Sequence, residues 1–230
     1  IAARAVSKKM TKSFSGIYTD GTSDAMTPLT ALALYDQFRE LTPVGRRGDK
    51  IIQRLADRLV EVDLLDRASI LLDRQVRFRL QGVQKAQVGG RLALIRLLDR
   101  QPGTALEALD ESVAPGLDPQ LALQRKRLRA RSVFELGDSE TALKLINADK
   151  ERDADLLRAD IFWRTRNWVS AGKVFERLLG NDGQDGRRIN DLSATLILNW
   201  VVALSMSDQG EALNKVRQIY SLQMDMTQYR

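Results

Sequence analysis

Alanine recurs along the chain at a nearly constant interval, and this recurrence limits the possible folds more than any other feature of the sequence. The equivalent positions are separated by 37, 37, 29 and 41 residues and are Ala68, Ala105, Ala142, Ala171 and Ala212. A period of about 20–50 residues is typical of arrays of helical hairpins.

Two further positions repeat in step with these alanines. Twelve residues earlier lie four more alanines and one tryptophan: Ala56, Ala93, Ala130, Ala159 and Trp200. Four residues later lie large apolar side chains: Leu72, Leu109, Ile146, Phe175 and Val216. Small side chains let two helices cross closely, and a large apolar residue one turn further extends the same buried face. We therefore predict that these positions are buried between paired helices.

Turn residues precede each of the second helices. In "ELGDSETALKLI", residues 135–146, one helix ends, Gly137-Asp138 makes the turn, and Ala142 lies near the start of the next helix. A single helical hairpin cannot bury its apolar face, whereas stacked neighbours can. The sequence therefore predicts an all-α fold, a right-handed α-solenoid of about five helix-turn-helix units.

The pattern of small residue, turn, alanine and large residue resembles the tetratricopeptide-repeat (TPR) family over residues 50–222. It is carried by "LRARSVFELGDSETALKLI" and "LRADIFWRTRNWVSAGKVFERLL". The unit lengths vary about the family's period of about 34 residues, and the early aromatic residue and closing proline of the family are missing from most units. Divergent arrays of this kind also resemble parts of large bacterial envelope or membrane-tethered proteins, so we interpret the chain as a fragment of a larger bacterial protein.

The resemblance also implies where a partner binds. The first helices of such units line the concave side, and the expected partner-binding residues are Lys50, Gln53, Asp57, Gln87, Arg127, Arg131, Asp160, Trp163 and Arg164. Their charges are mixed, and they do not match the set of Lys, Asn and Arg with which some members hold a C-terminal carboxylate. For Trp163 two placements stay open: an anchor in the groove, or packing against the next unit.

The segments outside the array have no repeat. Residues 1–27 are rich in Ser, Thr, Gly and Lys, which predicts an irregular leader or linker. Residues 28–49 are expected to form a helix that starts at Pro28 with Thr27 as N-cap, followed by a break at "TPVGRRGD". Residues 50–222 form the array, and residues 223–230 are a C-terminal tail.

Composition excludes several functional classes. The chain has neither His nor Cys, so histidine bases, thiol nucleophiles, thiolate zinc sites and disulfides are absent. We therefore expect no enzyme, no catalytic residue and no cofactor or metal. The loop at residues 179–191 lacks the ligand order of an EF-hand. No apolar run reaches the roughly 18 residues of a membrane helix, and the missing thiols slightly favour the periplasm or cell envelope.

Charge points to a protein partner rather than to nucleic acid. The chain carries 36 Lys and Arg against 30 Asp and Glu, a net charge of +6, but the two signs are interleaved. A nucleic-acid binder concentrates cations on one face and uses aromatic residues to stack on bases. The densest basic run, "QRKRLRAR" at residues 124–131, has two interpretations: a solvated helix whose Arg stems cover apolar surface, or an anion-binding stripe for an acidic peptide.

Two functional hypotheses follow. The first is a non-catalytic scaffold that binds a partner peptide or protein, an acidic one being a candidate, on the concave face of the solenoid. The alternative is a structural end-piece of a larger cell-envelope or membrane-tethered assembly, whose groove is occupied by its own N-terminal segment. The position of residues 1–41 distinguishes them.

Overall fold

The computed structural model describes residues 2–19, 25–183 and 188–225, with residues 2–8 and 19 as backbone only. Within these ranges the chain is all-helical and contains no strand, which confirms the all-α part of the prediction. The helices are α1 (Ala2–Thr19), α2 (Pro28–Gln37), α3 (Arg46–Glu61), α4 (Leu65–Phe78), α5 (Gly82–Leu98), α6 (Pro102–Glu111), α7 (Pro119–Glu135), α8 (Ser139–Ile146), α9 (Arg152–Arg164), α10 (Trp168–Leu179), α11 (Asp191–Met206) and α12 (Gly210–Met224), with a 3₁₀ helix at Arg39–Leu41.

The chain divides into two compact units, with the boundary between Leu136 and Gly137. In unit 1, each helix from α2 to α7 packs against the next one, α5 also packs against α7, and α1 packs against α3. In unit 2, α9 packs against α8 and α10, α10 against α11, and α11 against α12. Each unit therefore consists of helices that pack mainly against their neighbours in the sequence.

The alanines that define the repeat are buried. Those that precede the turns, Ala56, Ala93, Ala130 and Ala159, are at most 5% exposed, and four of those that follow the turns, Ala68, Ala105, Ala142 and Ala171, are fully buried. The large residues one turn later are buried as well. Both sets occupy the apolar core as predicted, because a small side chain is what allows two helix backbones to approach.

The last repeat was misplaced by one residue. In the second helices α4, α6, α8 and α10, the repeated alanine is the fourth helical residue, but the fourth residue of α12 is Leu213. Both Ala212 and Leu213 are half-buried at the edge of the same apolar cluster. The equivalent residue in α11 is then Val201 rather than Trp200.

A left-handed residue closes five of the turns. The four non-glycine residues with positive φ are Asp63, Arg100, Arg166 and Asp208, with φ between 56° and 60°, and Gly137 lies at the same place with φ 99°. The amide of the following residue donates back to a carbonyl five positions earlier in four of them; for example, Gln101 N–H bonds Arg96 O at 2.7 Å and Asn167 N–H bonds Phe162 O at 2.8 Å. This is the Schellman arrangement that ends a helix. It recurs in both units.

The N-terminal segment is a helix, so the prediction of an irregular leader is wrong for residues 2–19. Phe14 and Tyr18 of α1 are buried, and their rings lie 5.1 Å apart, each 6.4 Å from the ring of Tyr35 in α2. The Tyr18 hydroxyl donates to Ala31 O at 2.8 Å. Packing of these rings stabilises a helix whose Ser- and Thr-rich composition predicts none. Residues 20–24 lie outside the described part.

The other predicted boundaries moved by a few residues. Thr27 is the N-cap of α2, as predicted, and accepts a hydrogen bond from Thr30 N–H at 3.2 Å. Helix α3 begins at Arg46 rather than Lys50, after Gly45 in a left-handed conformation with φ 77°. Helix α12 continues to Met224, two residues into the predicted tail, and residues 226–230 lie outside the described part.

Glycine allows α5 to approach the end of α6 closely. A Cβ at Gly89 would lie 1.9 Å from Ser112 Oγ, well inside the contact distance. At the neighbouring Gly90 it would lie 3.6 Å from Cγ of Arg125 in α7. The pair at residues 89–90 therefore allows close helix packing.

Candidate functional site

Helix α3 presents a polar strip to solvent. Lys50, Gln53 and Asp57 are separated by three and four residues and therefore lie on one face of the helix. Lys50 is exposed and the other two are half-buried, whereas Ile52 and Ala56 on another face are buried in the core. The strip is therefore positioned by burial of the rest of α3.

Helix α5 supplies a second strip with the same spacing. Gln84, Gln87 and Arg91 face α3 across a cleft of about 510 Å³. The remaining residues that line this cleft are Arg46, Asp49, Lys50, Gln53, Leu80 and Val88. Two of the predicted residues on α3 thus meet the predicted Gln87 on α5.

The unpaired charge of this cleft is positive. Asp49 is bound to Arg79, whose Nε donates to Asp49 Oδ1 at 2.9 Å, and Arg91 pairs with Asp57. Arg46 and Lys50 make no ion pair with any described residue. Two cations and three glutamine side chains are therefore available to a ligand, and the buried Leu80 and Val88 provide apolar contact.

A neighbouring cleft of about 350 Å³ continues along α3 towards α1. It shares Lys50, Gln53 and Arg91 with the first cleft and is lined further by Tyr18, Ile51, Arg54 and Asp57. Burial, assisted by the charges of Tyr35 and Asp36, raises the pKa of Tyr18 to about 12, so this wall is neutral at physiological pH. The described part of α1 forms one wall of the cleft and leaves the space open.

A third cleft, of about 520 Å³, contains the predicted Arg131. Its lining consists of Leu97, Leu98, Arg100, Pro102, Arg131 and Glu135. Leu98 is fourteen residues after Gln84, nearly four complete helical turns, so one face of α5 borders both this cleft and the first. Arg131 pairs with Glu135 at 2.9 Å, and the half-buried Arg127 lies one turn earlier on α7.

The three predicted residues in unit 2 have different surroundings. Arg164 pairs with Asp160 at 3.8 Å along α9. Trp163 is half-buried and packs edge-to-face against Trp168, at 5.2 Å between ring centroids, and against Phe175 at 5.8 Å. Trp163 thus contacts the second helix of its own hairpin and also packs against the apolar cluster that includes Leu196 and Ala203 of α11, and its two predicted placements stay predictions. Trp168 is the first residue of α10.

The basic run on α7 contains a buried residue, Arg125, that joins α7 to α5 and α6 by hydrogen bonds; the sequence did not predict this. Arg125 is 8% exposed and donates to three oxygens: Ala86 O at 2.5 Å, Leu109 O at 2.7 Å and Ser112 Oγ at 3.1 Å. Burial lowers the pKa of this guanidinium. Arg129 pairs with Asp110. Arg125 is thus part of the interior of unit 1, and neither interpretation of the run includes a buried arginine.

The structure thus brings Lys50, Gln53, Asp57 and Gln87 together, and places Arg131 beside the same face of α5. The sequence analysis missed Arg46, Gln84, Arg91 and Tyr18. Gln84 and Arg91 were detectable, since they lie three residues before and four after Gln87 on one helical face. Arg46 was assigned to a loop, and Tyr18 to the irregular leader.

Comparison with protein-family models, curated proteins and solved structures gives no match. The resemblance to the TPR family therefore depends on the residues quoted above. In the part of the chain that the structure describes, no helix combines the length and apolar character needed to cross a bilayer. Over the same residues, no cluster of His, Cys, Asp and Glu could hold a metal ion.

Proposed function

We propose that this chain is a non-catalytic module that binds a protein or peptide partner on the face formed by α3 and α5. The observation that carries the proposal is the convergence of Arg46, Lys50 and three glutamines on one cleft of about 510 Å³. Amide side chains can bond the backbone of an extended peptide, and unpaired cations favour an acidic one. We propose further that the hairpins stack as a TPR-like solenoid of about five repeats, which the recurrent Schellman turn supports.

A peptide selection tests the binding proposal. A displayed library of random peptides is selected on the full chain, and the affinity of the winners is measured by fluorescence anisotropy. We expect winners rich in Asp and Glu, and an affinity loss of roughly tenfold or more for the double variant Arg46→Glu and Lys50→Glu, because two attractive charges become repulsive.

The matched control is Lys126→Glu, which makes one such charge change at an exposed site on α7 outside the cleft. This variant should bind like the unmodified chain. If the double variant keeps full affinity, or if Lys126→Glu loses as much, the cleft is not the binding site.

One observation supports the alternative function, a structural end-piece with a self-occupied groove. Helix α1 packs on α3, and its Tyr18 lines the cleft beside Lys50 and Asp57. If α1 shields the groove, the variant Phe14→Ala with Tyr18→Ala should release it and bind the selected peptides more tightly. Equal or weaker binding favours the open cleft and the peptide-binding module.

A further inference from the structure

Unit 1 contains a second basic cleft, formed by α2, the 3₁₀ helix at Arg39–Leu41 and α4, which the proposed function does not use. Its volume is about 270 Å³, and its lining residues are Leu32, Asp36, Arg39, Arg67, Ile70, Leu71 and Arg74. None of them belongs to the faces of α3 and α5 described above. The inference drawn from this cleft is independent of the peptide-binding proposal.

The three arginines are directed to the cleft by the packing of their helices. Arg67, Ile70, Leu71 and Arg74 follow one face of α4 with spacings of three, one and three residues. Leu71, with Leu32 of α2, is buried and forms the apolar base of the cleft. The three arginines are exposed and border this apolar base, Arg67 and Arg74 from α4 and Arg39 from the 3₁₀ helix.

The three arginines of this cleft, Arg39, Arg67 and Arg74, are not ion-paired within the part of the chain that the structure describes. By contrast Arg77, three residues further along α4, pairs with Asp73 at 2.9 Å and Glu111 at 3.2 Å. Clustered like charges repel one another. An anionic ligand would remove that repulsion.

We propose that this cleft binds a phosphate monoester dianion. Three guanidinium groups and the carboxylate of Asp36 give a charge of 3 − 1 = +2, which matches the charge of such a group above its second pKa of about 6. The planar fork of arginine fits phosphate oxygens with paired hydrogen bonds. A cleft of about 270 Å³ has room for a phosphate group with a small substituent.

Titration calorimetry at low salt with inorganic phosphate tests the proposal. The unmodified chain should bind phosphate at millimolar concentration or below, and Arg67→Gln with Arg74→Gln should weaken binding by roughly tenfold or more, since each lost charged hydrogen bond is costly. The control Arg77→Gln removes one positive charge from the same helix outside the cleft and should leave the affinity unchanged. Circular dichroism verifies that each variant is folded.

The variant Asp36→Asn is expected to change the phosphate affinity in the opposite direction. It removes the one repulsive carboxylate, so phosphate should bind several-fold more tightly, which general loss of structure cannot imitate. Binding should also weaken below pH 6, where the ligand becomes a monoanion. Absence of binding to the unmodified chain, an equal loss in Arg77→Gln, or no gain in Asp36→Asn would each overturn the proposal.

Two further ligands separate the sources of the phosphate group. Glycerol 3-phosphate represents a soluble monoester, and vesicles that contain phosphatidic acid present the same group on a lipid surface. Binding to the soluble ester alone assigns a small metabolite, and binding to both assigns a site that also accepts a headgroup. If the chain binds inorganic phosphate but neither glycerol 3-phosphate nor the vesicles, the assignment to a monoester is overturned.

Discussion

Each unit buries charged side chains, Asp49 and Arg125 in unit 1 and Asp149 and Asp155 in unit 2, and in each unit one of them joins neighbouring helices. In unit 1 this group is Arg125, which is 8% exposed and is held by two backbone carbonyls and a hydroxyl. In unit 2 it is Asp155, 5% exposed, which is held by Arg158 at 2.6 Å and by Arg177 at 2.6 and 2.7 Å. Both satisfy the rule that a buried charge needs partners, but with different kinds of partner.

The difference in partners determines how each of these two side chains responds to acid. Burial alone would raise the pKa of Asp155, but hydrogen bonds and charge from Arg177 and Arg158 outweigh it and hold the pKa below the usual range of an aspartate. The partners of Arg125 are neutral oxygens, which do not titrate between pH 3 and pH 9. The cross-link of unit 2 is therefore sensitive to acid, and that of unit 1 is not.

The same contrast extends to the surface. In unit 1, Arg46 and Lys50 make no ion pair with described residues and border an open cleft. In unit 2 the candidate residues of α9 are used within the unit: Arg164 pairs with Asp160, and Trp163 packs against α10. Hairpins with the same turn geometry thus differ in their first helices. In unit 1 the polar side chains of that helix border an open cleft, and in unit 2 they are paired or packed within the unit.

We expect the greatest destabilisation from Asp155→Asn. The substitution removes a buried anion and leaves Arg158, whose side chain is 12% exposed, with an uncharged partner, so the free energy of unfolding should fall by about 3 kcal/mol. Chemical denaturation measures the loss, and hydrogen exchange should locate it in α9 and α10. Glu140→Gln, at an exposed ion pair in the same unit, should change neither measurement. A similar loss in both variants would contradict the role of burial.

Asp155 also predicts a pH dependence with a definite sign. Because its folded pKa lies below the unfolded value of about 4, its contribution is complete above that value and is lost as the pH falls through the folded pKa. Stability measured between pH 7 and pH 3 should therefore decline less steeply in Asp155→Asn than in the unmodified chain. Equal slopes would show that Asp155 is not the group responsible.

The counterpart in unit 1 is Arg125→Met. Methionine fills much of the same volume but leaves Ala86 O, Leu109 O and Ser112 Oγ without their donor, so we expect a loss of about 2 kcal/mol. The pH slope of stability should be unchanged, in contrast to the Asp155 variant. Arg129→Met serves as control, because Arg129 and its partner Asp110 are much more exposed. A changed pH slope in Arg125→Met would break the comparison between the units.

The sequence predicted the interior better than the ends. Ala56, Ala93, Ala130 and Ala159 were identified as buried because small residues at a regular interval have no other evident cause, and the structure buries all four. Helix α1 was missed because its stability depends on Phe14 and Tyr18 meeting Tyr35 from another segment. Local composition does not contain that information.

For the candidate site, helical spacing predicted which face of α3 is polar but not which groups are already paired. Asp57 and Arg91 belong to different helices, and their pairing depends on how α3 and α5 are placed against each other. The packing of Trp163 against Trp168 and Phe175 likewise depends on the crossing of α9 and α10. Single-helix periodicity therefore finds candidates, and tertiary packing decides which of them remain available.

The smallest effect tests what the two units share, the left-handed turn. Arg100 in unit 1 and Arg166 in unit 2 hold φ values of 57° and 58°, a conformation that is costly for every residue except glycine. Arg100→Gly and Arg166→Gly should each raise the free energy of unfolding by about 0.5–1 kcal/mol. Gly137→Ala should lower the free energy of unfolding by about 1 kcal/mol. A Cβ at residue 137 meets no atom within 4 Å, so this loss comes from the backbone conformation alone. Arg100→Ala and Arg166→Ala are the controls that separate loss of the side chain from relief of the backbone. If glycine stabilises one turn relative to alanine and not the other, the two turns are not energetically equivalent.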